Sequence, residues 1–331
     1  MIYNFKRHYI DGFTPIQKMA RLSASLGGPD IYIKRDDMTG GLGEGGNKVR
    51  KMEFLMADAL QEECDTLITC GAVQSNHCMT TLAAAVKEGL KCRLVLEERV
   101  PNSYRPEAGG NNLLYHLLGA ENIRVVPGDS DMMAEMETER DQLMAEGRKP
   151  YIIPGGGSNE IGTLGYVSCA GEIVTQVKEL GISPDYVITA SGSGGTHAGL
   201  LAGFHASKTP YPVLGISVRA NQSEQEEKIL RLAGSTLEFM GVEEPLSSTR
   251  VTCFDHYVGG GYSIPTEEMK EAIQMVASLE GIFLDPVYSG KAMAGLIDLC
   301  RKNYFEESDK VLFIHTGGFP ALFEYTKLFL G

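Results

Sequence analysis

From about residue 64 the chain alternates short β-branched runs with longer helical stretches, and this alternation restricts its fold more than any other feature. Strands are expected at Thr66–Cys70, Cys92–Leu96, Ile123–Val126, Tyr151–Pro154, Tyr186–Ala190, Val213–Val218, Val251–Phe254, Ile282–Asp285 and Val311–His315. Between them the pattern predicts helices at Asn76–Glu88, Ser130–Glu146, Ile161–Leu180, Gln222–Met240, Glu267–Leu279 and Ala292–Lys302. A β-then-α order implies parallel strands joined by right-handed crossovers, with helices on both sheet faces. Several runs are apolar throughout, as expected of strands buried on both sides. The expected class is therefore α/β, with open, mostly parallel, three-layer architecture. At 331 residues there is chain enough for two such domains.

The formal net charge of −13 argues against nucleic acid and anionic membranes as partners. No apolar run approaches a membrane span, and the opening MIYNFKRHYIDGF does not read as a signal peptide, so a cytoplasmic location is expected. Seven scattered cysteines without a C-x-x-C pair suit a reducing compartment. Neither they nor the histidines show metal-ligand spacing, so no metal site is expected.

In parallel α/β sheets the ligand sits at the carboxyl ends of the strands. Four glycine-bearing loops fall there: 71–76, 154–160, 190–196 and 315–320. In ASGSGGT, Gly192, Gly194 and Gly195 let backbone N–H groups approach an anion, while Ser191, Ser193 and Thr196 add hydroxyls. No Lys-Ser/Thr pair follows, so a small phosphorylated cofactor fits better than a nucleotide. Upstream, a glycine pair leads through Asn47 and Lys48 into a helical run. A lysine at a helix start and partly buried has a lowered pKa, which favours the free amine needed for carbonyl condensation. Lys34 and Lys51 compete for that role. Ser75, Asn76 and His77 stand at a helix start, where they can grip a carboxylate or merely cap the helix. Tyr262 and Tyr288 sit in glycine- and proline-rich turns as candidate acid–base groups.

Together these motifs resemble the D-cysteine desulfhydrase / 1-aminocyclopropane-1-carboxylate deaminase family, in order and in register from about residue 12 to the C-terminus. They are IYIKRDDMTG, GGNKVRKMEFLMADAL, TLITCGAVQSNH, ASGSGGTHAGL, LEGIFLDPVYSGKAMAGLIDL and LFIHTGGFPALF. The resemblance implies a tryptophan-synthase-β-like (type II) fold and pyridoxal 5′-phosphate as cofactor. It makes Lys48 the Schiff-base lysine, with Asn47 beside it, and makes Ser191–Thr196 the phosphate cup. Ser75, Asn76 and His77 match the segment holding the substrate carboxylate, Tyr262 and Tyr288 two active-site tyrosines, and Thr316 a residue near the pyridine nitrogen. It also implies a homodimer. Residues 1–51 and 159–331 would form the large cofactor domain, and 52–158 a smaller mobile domain.

The deaminases place a glutamate directly after the second tyrosine, whereas this chain has Ser289. A hydroxyl beside the ring nitrogen strengthens the electron sink less than a carboxylate. Ser289 therefore favours β-elimination from D-cysteine, giving pyruvate, ammonia and hydrogen sulfide, with Lys48 or Tyr288 removing the Cα proton. Alternatives are 1-aminocyclopropane-1-carboxylate deamination and an L-cysteate sulfo-lyase activity. Glu44 and the acidic segment 219–230 depart from the family pattern and bear on that choice. Outside enzymology, the alternative is a non-catalytic protein that holds a phosphorylated ligand.

Overall fold

Among the residues that the computed structural model describes, 6–43, 45–209 and 211–331, ten strands form two sheets. Glu44 lies outside the described residues. The strands are β1 (Ile16–Lys18), β2 (Asp30–Lys34), β3 (Thr66–Ala72), β4 (Lys91–Glu98), β5 (Asn122–Pro127), β6 (Pro150–Ile153), β7 (Tyr186–Ser191), β8 (Val213–Ser217), β9 (Val251–Phe254) and β10 (Lys310–Ile314). One sheet has the order β1-β2-β10-β7-β8-β9 and is parallel except at its β1–β2 edge. The other, β5-β4-β3-β6, is parallel throughout. The helices are α1 (Ala20–Leu26), α2 (Asn47–Gln61), α3 (Asn76–Lys87), α4 (Gly110–Leu117), α5 (Met132–Ala145), α6 (Glu160–Glu179), α7 (Gly195–Ala206), α8 (Gln222–Phe239), α9 (Glu267–Glu280), α10 (Ser289–Arg301) and α11 (Thr326–Leu330).

Alternation along the strands sends neighbouring side chains to opposite faces. Val311 and Phe313 of β10 enter a core with Leu22 of α1, Ile273 of α9 and Leu296 of α10. Leu312 and Ile314 enter the opposite core with Val167 of α6, Leu200 of α7 and Ile229 of α8. In the smaller sheet Leu67 and Leu94 pack with Leu82 of α3 and Tyr115 of α4. Its other face, with Ile68 and Val95, meets Met136 and Leu143 of α5. Both sheets are thus covered on both faces, the three-layer arrangement expected. No helix among the described residues is long and apolar enough to cross a membrane.

One expected strand is absent: Ile282–Asp285 has no regular secondary structure and joins neither sheet. Its Ile282 and Leu284 belong to the core with α9 and α10, so the apolar run records burial, which periodicity alone does not distinguish from strand pairing. β1, α1, α4 and α11 are not among the expected elements.

Helix α2 is continuous across residues 51 and 52, where the expected division falls. Its Phe54 joins a core of the six-stranded sheet, and its Val49, Met52 and Leu55 join the core of the four-stranded sheet. A buried ion network fixes it from below. Arg50 pairs with Asp36 (2.8 Å) and Glu172 (2.8 Å), Lys34 also pairs with Glu172, and the Tyr166 hydroxyl donates to Asp36 (2.6 Å). Two cations meet two carboxylates, which leaves no net buried charge.

Candidate active site

The four glycine loops converge. Gly71, Gly155, Gly156, Gly192 and Ser193 line a cavity of about 520 Å³, and Thr316 and Gly317 line a smaller adjoining one. Lys48, His77, Gly192, Ser193 and Tyr288 border both.

Lys48 comes from the first turn of α2. Gly46 precedes that turn with φ 103°, and a Cβ there would lie 2.9 Å from the Thr316 carbonyl. The Asn47 N–H donates to the same carbonyl (3.1 Å), which ties the start of α2 to the loop after β10. Burial lowers the Lys48 pKa to about 8. The competing lysines have other roles. Lys34 is spent on Glu172, the Thr14 carbonyl and Gln176. Lys51, fully buried, donates to the Gly156 carbonyl (2.9 Å) and to Ser158 Oγ (3.2 Å). Burial and then the neighbouring Lys48 push its pKa well down.

The loop after β7 forms a cup. The Gly195 N–H donates to Ser158 Oγ (3.2 Å), Ser158 donates to Ser193 Oγ (2.8 Å), and Asn47 Nδ2 donates to Thr196 Oγ1 (2.8 Å). A Cβ at Gly195 would stand 2.7 Å from Lys51 Nζ and 2.8 Å from Ser158 Oγ, so any side chain there would displace both groups. Gly194, at φ 103°, turns the chain into α7. Ser191 faces elsewhere: its hydroxyl meets Gln225 Nε2 (2.9 Å) and His197 Nδ1 (3.2 Å). Ser158 and Lys51 join the cup although neither was assigned to it from sequence.

At the start of α3, Ser75 is the N-cap and accepts from the Cys78 N–H (3.1 Å). Asn76 Oδ1 accepts from Asn111 Nδ2 (2.7 Å), and Asn111 is itself held by Gln74. His77 bonds to Thr69 through Nε2 (2.8 Å), while Nδ1 has no partner among the described residues. Burial, then the charges of Lys48 and Lys51, hold His77 well below the usual histidine range, so its ring is neutral.

Tyr262 and Tyr288 share a hydrogen bond, with ring centroids 5.8 Å apart in an edge-to-face arrangement. Burial raises both pKa values, keeping the phenols protonated. Arg99 stacks over the Tyr262 ring at 4.2 Å. Thr316 lines the smaller cavity. Ser289, expected beside the cofactor ring, is fully buried and lines neither cavity, its hydroxyl donating to Asp285 Oδ1 (2.7 Å). The site thus joins a low-pKa amine, an anion cup, helix-start donors and a phenol pair.

Known proteins resemble the chain in sequence and in fold. The family model described as pyridoxal-phosphate dependent enzyme matches residues 9–317. The 1-aminocyclopropane-1-carboxylate deaminase of Bradyrhizobium diazoefficiens is 41% identical, covering 99% of each chain. The D-cysteine desulfhydrase of Salmonella typhimurium is 43% identical, over 96% of this chain and 95% of its own. A crystal structure of an ACC deaminase homologue is similar with a TM-score of 0.87 and 42% identity, over 98% of this chain and 95% of that one. Escherichia coli diaminopropionate ammonia lyase, 17% identical, shares the fold with a TM-score of 0.67 over 97% of this chain and 86% of its own.

Proposed function

The chain belongs to the family of pyridoxal-phosphate dependent enzymes, and on that premise we propose that it is a lyase that eliminates the β-substituent and amine of D-cysteine. Pyridoxal phosphate is the cofactor. The residues present fit it: an amine with pKa about 8 stands beside a glycine cup that a Cβ at Gly195 would fill. Lys48 would bind the aldehyde, the Ser193–Thr196 loop with Lys51 and Ser158 the phosphate, and Asn47 and Thr316 would flank the ring. When bound, the cofactor supplies an electron sink for the pair left at Cα.

One observation carries the reading: the Lys48 amine and the Tyr262–Tyr288 pair border a single cavity. Ser75 and Asn76, at the N-terminus of α3, hold the substrate carboxylate. Asn111 occupies the Asn76 carbonyl and so turns the Asn76 amide N–H₂ toward the site. Lys48, uncharged once bonded or deprotonated, takes the Cα proton. Tyr288, protonated and hydrogen-bonded to Tyr262, gives a proton to the departing sulfur. The released enamine hydrolyses to pyruvate and ammonia.

The D-cysteine desulfhydrase and deaminase relatives are about equally similar to this chain. Ser289, whose hydroxyl is committed to Asp285, offers the ring no carboxylate, which favours elimination over ring opening. The test is sulfide release by the cofactor-loaded protein from D- and L-cysteine, beside ammonia release from 1-aminocyclopropane-1-carboxylate. Sulfide from the D enantiomer is expected; ammonia from the cyclopropane substrate alone would reassign the enzyme. Residues 52–158 act in this reading as the smaller, mobile unit closing over substrate. A cytoplasmic homodimer is the accompanying assembly. Seven free, buried cysteines support a reducing location, and sedimentation measures the oligomeric state.

A further inference from the structure

Residues 255–266, between β9 and α9, carry Tyr262 and have no regular secondary structure. Among the described residues the segment makes two internal backbone bonds, from the Val258 N–H to the Asp255 carbonyl (3.1 Å) and from the Ile264 N–H to the Gly261 carbonyl (3.3 Å). Its position is set instead by one face of α10 and its cap. Residues 288, 291, 295 and 298 follow a helical spacing that brings them onto one stripe. Tyr288 hydrogen-bonds to Tyr262. The Lys291 amine donates to the carbonyls of Val258 (2.7 Å) and Gly261 (2.8 Å). Gly295 leaves room for the Tyr257 ring, since a Cβ there would lie 3.1 Å from Tyr257 Cδ2. Asp298 accepts from the Tyr257 hydroxyl (2.6 Å).

Lys291 is the member of that stripe whose presence packing does not explain. It is fully buried, and among the described residues its amine meets these two carbonyls and no carboxylate within ion-pairing distance. An apolar side chain would fill the space without the cost of burying an ammonium. What the amine adds is a grip on two peptide carbonyls, one of them directly before Tyr262. We propose that Lys291 is a positioning residue for the Tyr262–Tyr288 pair. Tyr288 and Lys291 are one turn apart, so α10 holds the segment at two points and presents the Tyr262 hydroxyl to Tyr288. Both phenols line the larger cavity, whereas Lys291 lines neither cavity. Its influence on turnover rests on the lyase reading above, in which Tyr288 protonates the departing sulfur. The clasp itself does not.

The test is Lys291→Met in the cofactor-loaded protein, read in two ways. The first is amide hydrogen exchange in the peptide covering residues 257–264, whose bonded amides are those of Val258 and Ile264. Exchange there should quicken roughly tenfold, the worth of one hydrogen bond from a charged donor, while α10 and both sheets stay protected. Unchanged exchange in that peptide overturns the proposal. The second is turnover of D-cysteine, where kcat should fall roughly 10- to 100-fold, as for a misplaced acid, with KM within about threefold. In a Tyr262→Phe background the same substitution should cost less than about twofold, because the hydroxyl that Lys291 positions is already gone. Losses that multiply across the two sites overturn the proposal, as does a raised KM with kcat unchanged. Should Lys291→Met lose protection throughout the chain, Lys291→Gln, which keeps the buried end polar, carries the same expectations in smaller measure and is overturned by the same results. If the wild type releases sulfide from neither enantiomer of cysteine, the lyase reading falls and the exchange result alone decides the clasp.

Discussion

Ser289 and Asp285 are joined twice: the serine hydroxyl donates to the carboxylate at 2.7 Å and accepts from the Asp285 N–H at 2.8 Å. The same carboxylate accepts from the N–H groups of Val287, Tyr288 and Ser289, closing the first turn of α10. Tyr288 is held in place by this cap. Ser289→Ala is expected to cost about 1–2 kcal/mol in urea unfolding, as for other lost caps. Ser289→Glu sets a second carboxylate against buried Asp285. A loss on the order of 3 kcal/mol and no gain of cyclopropane turnover are expected. A stable Ser289→Glu protein that opens the ring would show that one position separates the two activities.

Lys48 titrates near 8 because burial disfavours its ammonium form. Its reactive neutral fraction grows as pH rises through that value. Cofactor uptake by the apoprotein should therefore accelerate about tenfold between pH 7 and pH 9 and then level off. Stopped-flow absorbance reads this directly, and an undiminished rise beyond pH 9 would point to an ordinary lysine. Lys48→Ala should lose the yellow colour of the loaded protein.

Tyr288→Phe removes the phenol but keeps the ring between Tyr262 and Gly192. Turnover should fall by about 10²–10⁴, the usual worth of a general acid, while visible absorbance of the bound cofactor stays unchanged. Exchange of the Cα proton with deuterated solvent should persist, since Lys48 carries that step. Loss of exchange together with turnover would move the base role to Tyr288.

Asp36 is pulled to about 2 although burial alone would raise it, because Arg50 and Lys34 favour its charged form. Its folded pKa lies below its unfolded value near 3.8, so its contribution is complete above that value and is lost as pH falls toward 2. Asp36→Asn should make acid unfolding less steep in that window. Arg50→Met leaves Glu172 and Asp36 short of a cation, and a loss of about 3–5 kcal/mol is expected by chemical denaturation.

The glycine loops were legible because a turn at a strand end that must also admit a ligand leaves glycine in the sequence. Lys48 was legible from its place at a helix start. Arg99 was not, because two glutamates precede it and the segment reads as solvated charge; only its stacking on Tyr262, far along the chain, reveals it. Ser158 belongs to a loop that was singled out, but its partners Lys51 and Gly195 come from distant segments. Asp285 was read as the end of a strand, which hid its cap on Ser289. Local pattern thus located the walls of the site, while the contacts that aim its side chains are long-range or run against the local pattern.

Helix α2 gives Phe54 to one core and Leu55 to another, with the amine of Lys48 at its tip. The molecule is therefore not divisible at that helix. A fragment beginning at residue 62 would keep the four-stranded sheet yet lay bare the apolar surface that α2 covers, and the remainder would lose Phe54 or leave it stranded. Any ancestor assembled from two independent pieces had to surrender that independence when it placed its reactive lysine on a shared helix.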